Sequence, residues 1–232
     1  MSIRQAQRAF LEEAIERLAD DGRVSAVLLV GSGGRDAGDE WSDIDIEVIA
    51  EDRTSAEVLS CPHAAELFGD LLVWVDCSFN AVVGGTMAFS RYRSDAGMLM
   101  VDWHVFPRSA ARLTNGARLL WSRPNFELEP FDGNVVDLVA SSDRRTIPPY
   151  SRQQRAEWEL CMIDIAVARP PRGQDGRDLH RHIGIDPDTG PDPHRQLDGL
   201  QMHMTALQSW VAPRALRASL GRLEAARHAL PE

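Results

Sequence analysis

Apolar residues recur at helical spacing near the start of the chain. Phe10, Leu11, Ala14, Ile15 and Leu18 fall on one stripe, which predicts an amphipathic helix over about 3–20, ended by Asp20, Asp21 and Gly22. Residues 24–30 are almost unbrokenly apolar and rich in β-branched side chains, the pattern of a strand covered on both faces. At 44–49 the pattern becomes strict alternation, which predicts a second strand. A helix over 54–68, where Pro62 allows a kink or a late start, and a strand at 71–75 continue the α-β-α-β-α-β order. Two further runs, 87–93 and 98–106, are separated by Ser94, Asp95, Ala96 and Gly97 and predict an antiparallel hairpin. A turn at Thr114, Asn115 and Gly116 precedes a short strand at 117–121.

Beyond about residue 130 the strand pattern fades. Trp158, Cys161, Met162 and Ile165 mark one helical face, and Leu216, Leu220 and Leu223 mark another. The stretch 170–193, rich in Pro, Gly, Asp and Arg, reads as an irregular connection. The expected class is therefore α+β: a mixed β-sheet with flanking helices over 1–125, then a helical region over 126–232.

Composition narrows the chemistry. A length of 232 residues with 44% hydrophobic and 26% charged side chains suits a globular protein able to bury a core. The net charge of -10 disfavours a large nucleic-acid interface, while a local basic patch can still hold a phosphate-bearing small molecule. All 25 basic residues are arginine, and the absence of lysine removes Schiff-base and Walker-lysine chemistry. Cys61, Cys77 and Cys161 are odd in number and widely spaced, so neither a disulfide framework nor a zinc knuckle is expected. His180, His182, His194 and His203 fit no common zinc spacing. The first residues form no basic, apolar leader and no 18-residue apolar run occurs, so a soluble, unprocessed, cytoplasmic chain without a membrane partner is expected; a homodimer is compatible with this reading.

The richest stretch is GSGGRDAGDEWSDIDIEVIA, residues 31–50. Strand residues two apart share a face, so Asp43 and Asp45 set two carboxylates side by side while Ile44 and Ile46 turn to the core. Adjacent carboxylates repel, and a hard divalent ion such as Mg²⁺ removes that conflict by bridging them to phosphate oxygens. Glu47 shares their parity, as a further acid or an outer-strand residue. Gly31 and Ser32 follow a buried strand where a helix begins, a place where backbone N–H groups and the Ser32 hydroxyl suit a phosphate. The dinucleotide pattern GxGxxG fails because Asp36 stands where its last glycine belongs. The acidic group Asp36, Asp39 and Glu40 is open to two readings, a lure for a cationic ligand or a solvated turn. Trp103, Trp121 and Trp158 could stack on a ligand ring or fill the core.

A strand, a Gly-Ser turn, about ten residues and then Asp-x-Asp on the next strand resemble the polymerase-beta-type nucleotidyltransferase superfamily. Within it the block looks most like the small antibiotic nucleotidyltransferases that adenylylate aminoglycosides or lincosamides. The resemblance is specific over about 24–50 and extends less specifically to about 125. It implies the nucleotidyltransferase fold for the first region, Mg²⁺ as cofactor, ATP as co-substrate, and transfer of AMP to a hydroxyl of a small-molecule acceptor. It implies that Asp43 and Asp45 hold Mg²⁺, that Gly31 and Ser32 cradle the phosphates, and that Arg35 reaches the triphosphate. The third family carboxylate matches Asp102, as metal ligand or general base, better than Asp76; His104 shares the parity of Asp102 as an acceptor contact or a structural histidine. Some relatives carry a phosphate-binding lysine in the helical domain, a role that here falls to an arginine or is absent. Two rival expectations are a protein-adenylylating, antitoxin-type enzyme and a non-catalytic nucleotide-binding regulator.

Overall fold

A computed structural model describes residues 1–142, 149–175, 177–184 and 192–231. The chain forms two compact units, residues 1–148 and 149–232. The first unit is α+β and reaches beyond residue 125 to take in one more short helix.

Helix α1 (Ile3–Asp20) starts at a capping box, in which the backbone N–H of Ser2 donates to Gln5 Oε1 and that of Gln5 to Ser2 Oγ. It buries Ala6, Phe10, Ala14 and Leu18, one residue every four, with Leu11 and Ile15 at the margin. Strands β1 (Val24–Leu29), β2 (Ile44–Ala50), β3 (Leu71–Asp76), β4 (Thr86–Ser94), β5 (Gly97–Pro107) and β6 (Arg118–Ser122) make one sheet in the order β3-β4-β5-β2-β1-β6. Only β2 and β5 pair in parallel, so the sheet is mixed. The predicted hairpin is β4–β5, closed between Ser94 and Gly97. The helix expected over 54–68 is two pieces, α3 (Ser55–Val58) and α4 (Cys61–Phe68), because extended backbone at Leu59 and Ser60 precedes Pro62 in the first turn of α4. Between β1 and β2 lies α2 (Gly31–Gly34), a single turn.

Period-2 alternation gives the sheet two faces. One carries Ile44, Ile46, Val48, Val101, Trp103 and Val105 and packs against α1 and α4, with Phe10 4.9 Å from Tyr92 and Phe68 stacked 4.9 Å from Trp103. The other carries Asp45, Glu47 and Ile49 beside Asp102, His104 and Phe106. At its far end Ile49 and Phe106 join Leu28, Val82 and Leu138, the last from α5 (Val135–Ala140). This second face is apolar at one end and acidic at the other.

The second unit contains α6 (Arg152–Val167), α7 (Arg177–His182), α8 (Pro193–Leu207) and α9 (Pro213–Ala229). Helices α6, α8 and α9 pack on one another, burying Leu160, Ile163, Leu197, Leu200, Met204 and Leu223. The buried stripe of α6 passes through Ala156, Leu160, Ile163 and Val167. Cys161 and Met162 of the expected face are buried as well, while Trp158 and Ile165 are half-buried, the Arg155 guanidinium lying 4.6 Å from the Trp158 ring. Part of the expected irregular connection, residues 176 and 185–191, lies outside the described residues; within the rest, α7 is helical. No described helix is long and apolar enough to cross a membrane.

Candidate metal and phosphate site

Parallel pairing of β2 with β5 sets Asp45 directly beside Asp102, and Asp43 stands one alternation before Asp45 on the same face. The three side chains each offer a carboxylate oxygen, and these oxygens lie within 4.8 Å of one another. Among the described residues this is the group of acids, histidines and cysteines close enough to hold a metal ion. Asp102 is buried; Asp43 and Asp45 are partly open.

Charge is poorly matched here without a cation. Burial, then Asp43 and Asp102, push Asp45 well above the usual carboxylate range, against a smaller pull from Arg35. Burial and then Asp43 also push Asp102 up to about 7, while the nearby Arg91 pulls it down. Three carboxylates converging on one point form a hard, all-oxygen donor set of the kind that Mg²⁺ or Mn²⁺ takes.

The Gly-Ser turn abuts these acids. Gly31 has φ +62°, and a Cβ there would overlap the Asp45 carboxylate, so glycine is required both by the left-handed backbone and by the close approach. The Val30 N–H donates to the Asp45 carbonyl at 2.9 Å and ties the turn to β2. Ser32 Oγ is buried with no hydrogen-bond partner, an unmet hydroxyl at the turn that a phosphate oxygen would satisfy. Arg35 is exposed, and its stem lies over Gly116, whose φ is +76°.

Other candidates sort differently. Asp36 pairs with Arg118 at 2.8 Å, and Asp39 Oδ1 accepts from the Trp41 N–H and the Ser42 hydroxyl. Gln7 Nε2 donates to the Ser42 carbonyl at 2.9 Å, so the segment that carries Asp43 is braced from α1. Asp39 thus ties the loop to itself, and Asp36 ties it to β6. A cleft of about 390 Å³ separates α1 from this loop and reaches Asp43, with Arg4, Arg8 and Arg118 on its wall. Asp76 is exposed and bonded to Ser78, away from the triad. Trp103 is core, donating to Ser90 Oγ at 3.0 Å. Of the four histidines weighed for zinc, His203 sits 3.1 Å from Glu159, His180 is buried, His194 is exposed, and the side chain of His182 lies outside the described residues.

No protein-family model and no curated protein significantly matches this chain. The site therefore rests on its own geometry, and of three further groups in it Arg91 escaped the sequence reading, while Glu47 and His104 were placed there by strand parity with their roles left open. Arg91 is fully buried and reaches Asp102 Oδ1 at 3.4 Å. Its sole signal was an arginine whose strand parity matches that of Phe89, on the face opposite Tyr92. Glu47 is fully buried with both oxygens unpartnered, and burial pushes it up to about 8. His104, its register partner on β5, has an unpartnered Nδ1 and is pulled down to about 4 by burial. Parity placed both beside the acids, but their burial was not visible in the alternation.

Proposed function

We propose that this chain is a Mg²⁺-dependent nucleotidyltransferase of the polymerase-beta type that moves AMP from ATP to a hydroxyl of a small molecule, with an aminoglycoside- or lincosamide-like antibiotic as acceptor. The observation that carries the reading is the convergence of Asp43, Asp45 and Asp102 beside a Gly-Ser turn whose serine hydroxyl is buried and unmatched. Neither half is distinctive alone; together they bring candidate cation ligands at β2 and β5 beside a candidate phosphate contact in the α2 turn.

In this reading Asp43, Asp45 and Asp102 hold Mg²⁺, which when bound neutralises phosphate charge and polarises the phosphoryl group. Gly31 admits the phosphates close to the backbone, Ser32 Oγ donates to a phosphate oxygen, and Arg35 takes up triphosphate charge with its planar fork. The acceptor oxygen forms a bond to the α-phosphorus as the bond to the pyrophosphate oxygen breaks. The hydroxyl proton leaves to a base, the alternative role for Asp102 to that of metal ligand. The products are the adenylylated acceptor and pyrophosphate.

The test is pyrophosphate release from ATP and Mg²⁺ in the presence of single aminoglycosides or lincosamides, comparing wild type with Asp45→Asn. Release that needs both a drug and Asp45 is expected. A folded wild type that binds no ATP with Mg²⁺ present would sink the nucleotide reading. Mg²⁺-dependent ATP binding without release on any drug would remove the antibiotic as acceptor.

A further inference from the structure

A guanidinium removed from water is costly unless its charge and donors are matched. Arg91 on β4 is fully buried, and its Nη1 donates to the Ser90 carbonyl at 2.8 Å and to Asp102 Oδ1 at 3.4 Å. The register accounts for the reach: Asp102 stands opposite Phe89, two residues from Arg91 and on the same face of β4. The intervening Ser90 turns to the other face, where its hydroxyl donates to the Val101 carbonyl at 2.7 Å and accepts from Trp103 Nε1 at 3.0 Å. Those two bonds fix the backbone from which the Arg91 side chain extends. Asp102 therefore has two sets of neighbours, a guanidinium anchored to β4 and the carboxylates of Asp43 and Asp45.

We propose that Arg91 is a positioning residue that sets which divalent cation the triad accepts, by engaging Asp102 Oδ1 so that this carboxylate meets an ion through Oδ2 alone. The inference rests on the triad being a cation site. Mg²⁺ takes six oxygens at about 2.0–2.1 Å, and one oxygen per carboxylate suits that compact shell. Ca²⁺ takes six to eight oxygens at about 2.3–2.6 Å and commonly fills its larger shell with a bidentate carboxylate. Turning both oxygens of Asp102 onto one ion would draw Oδ1 away from Arg91 and weaken a buried, charge-assisted hydrogen bond. With Arg91 in place the site selects against Ca²⁺; without it Asp102 is free to turn.

The decisive quantity is a ratio. Mn²⁺ and Ca²⁺ carry the same charge, so deleting the arginine's positive charge alters attraction for both alike, and partial unfolding weakens both alike. Only a change in how Asp102 coordinates moves their relative affinity. The experiment is nucleotide-free titration of the full chain with Mn²⁺, followed by Ca²⁺ competition, for wild type, Arg91→Met, Arg91→Lys and Asp45→Asn, with folding checked by circular dichroism. Wild type is expected to favour Mn²⁺ and Asp45→Asn to bind neither ion well. Arg91→Met is expected to lower the Mn²⁺ preference by about tenfold, the scale of losing one selective ligand geometry. Arg91→Lys keeps the charge but its shorter side chain ends before the Nη1 position that bonds both the Ser90 carbonyl and Asp102, so its preference is expected to fall severalfold even if the Met variant does not fold. An unchanged Mn²⁺-to-Ca²⁺ ratio in a folded variant overturns the proposal while leaving the cation site standing. A wild type that binds neither ion overturns the cation site itself and this inference with it.

Discussion

Asp45 and Ile46 are consecutive residues of β2, yet they belong to regions with opposite requirements. Ile46 faces α1 and α4 within a fully apolar layer that includes Val48, Val101, Trp103 and Val105. Asp45 faces the opposite way, into Asp43 and Asp102, with Glu47 and His104 buried one step further along the same two strands. The first face gains stability from every residue it covers. The second buries several carboxylates against one buried guanidinium, Arg91 on Asp102, and leaves both oxygens of Glu47 unpartnered, so it holds unfavourable free energy until a ligand arrives. One strand thus divides stability and chemistry between alternate residues, and single substitutions should separate the two.

The largest effect belongs to the apolar face. Ile46 is fully buried, so Ile46→Ala should destabilise the protein by about 3 kcal/mol, through lost transfer energy and the cavity left behind. Urea unfolding checks this, and Mn²⁺ affinity of the folded variant should stay near that of wild type. A loss of metal binding with little loss of stability would show that the two faces are not separable in this way.

The next effect comes from the acid face and depends on pH. Burial moves Glu47 from its ordinary 4.5 up to about 8, so between those values the unfolded chain has lost a proton that the folded chain keeps, and stability falls as pH rises. His104 moves from 6.5 down to about 4, so between those values the unfolded chain holds the extra proton and stability rises with pH. The two slopes oppose each other below 6.5; from 6.5 to about 8 that of His104 is spent and that of Glu47 continues, in the same direction as those of Asp45 and Asp102. In metal-free buffer Glu47 should therefore contribute a loss on the order of 2 kcal/mol over that upper window, so the curve of Glu47→Gln should fall less steeply than that of wild type by about that amount. Parallel curves for the two proteins, from denaturant melts at several pH values, would contradict the burial-driven shift.

How far these two faces could be read from the sequence depends on the range of the signal. DIDIEV alternates so strictly that Asp43, Asp45 and Glu47 had to share a face opposite Ile44 and Ile46. The hairpin of β4 and β5 was equally local, since turn residues sit between two strand-like runs. That Asp45 pairs with Asp102 was not local: it follows from β5 inserting parallel to β2 across more than fifty residues, and the aspartate was found through family resemblance. Arg91 lay beyond reach because an arginine in SRYR looks like an outward residue until the sheet is assembled and its second face covered. The break between α3 and α4 was foreshadowed by Pro62, and the α6 face was legible at Cys161 and Met162, whereas the burial of Leu160 and Ile163 beside them depended on packing against α8 and α9.

A smaller effect should follow at the junction of turn and acids. Gly31→Ala forces a Cβ into left-handed backbone and against the Asp45 carboxylate, which should cost about 1–2 kcal/mol. Because Asp45 must move to admit the methyl group, Mn²⁺ affinity should fall along with stability. Gly33→Ala is the useful contrast, since its Cβ would meet the flexible end of Leu29 and leave Asp45 alone. Equal loss of metal affinity in both would place the effect in the turn as a whole.

The smallest change in stability should have the opposite sign. Asp45 is held well above the ordinary carboxylate range by burial and by two neighbouring acids, so its ionised form is disfavoured in the metal-free fold. For an acid raised in this way the unfolded chain gives up its proton first, and stability is lost as pH rises toward the folded value. Asp45→Asn removes that burden with little change of shape and should stabilise the metal-free protein at neutral pH by about 1 kcal/mol, while abolishing Mn²⁺ binding. Adding Mn²⁺ should then reverse the order, raising the melting temperature of wild type and not that of the variant. If Asp45→Asn were instead less stable in chelator, the carboxylate would be part of the fold's own support, and the division of labour between Asp45 and Ile46 would fail at the residue on which it depends most.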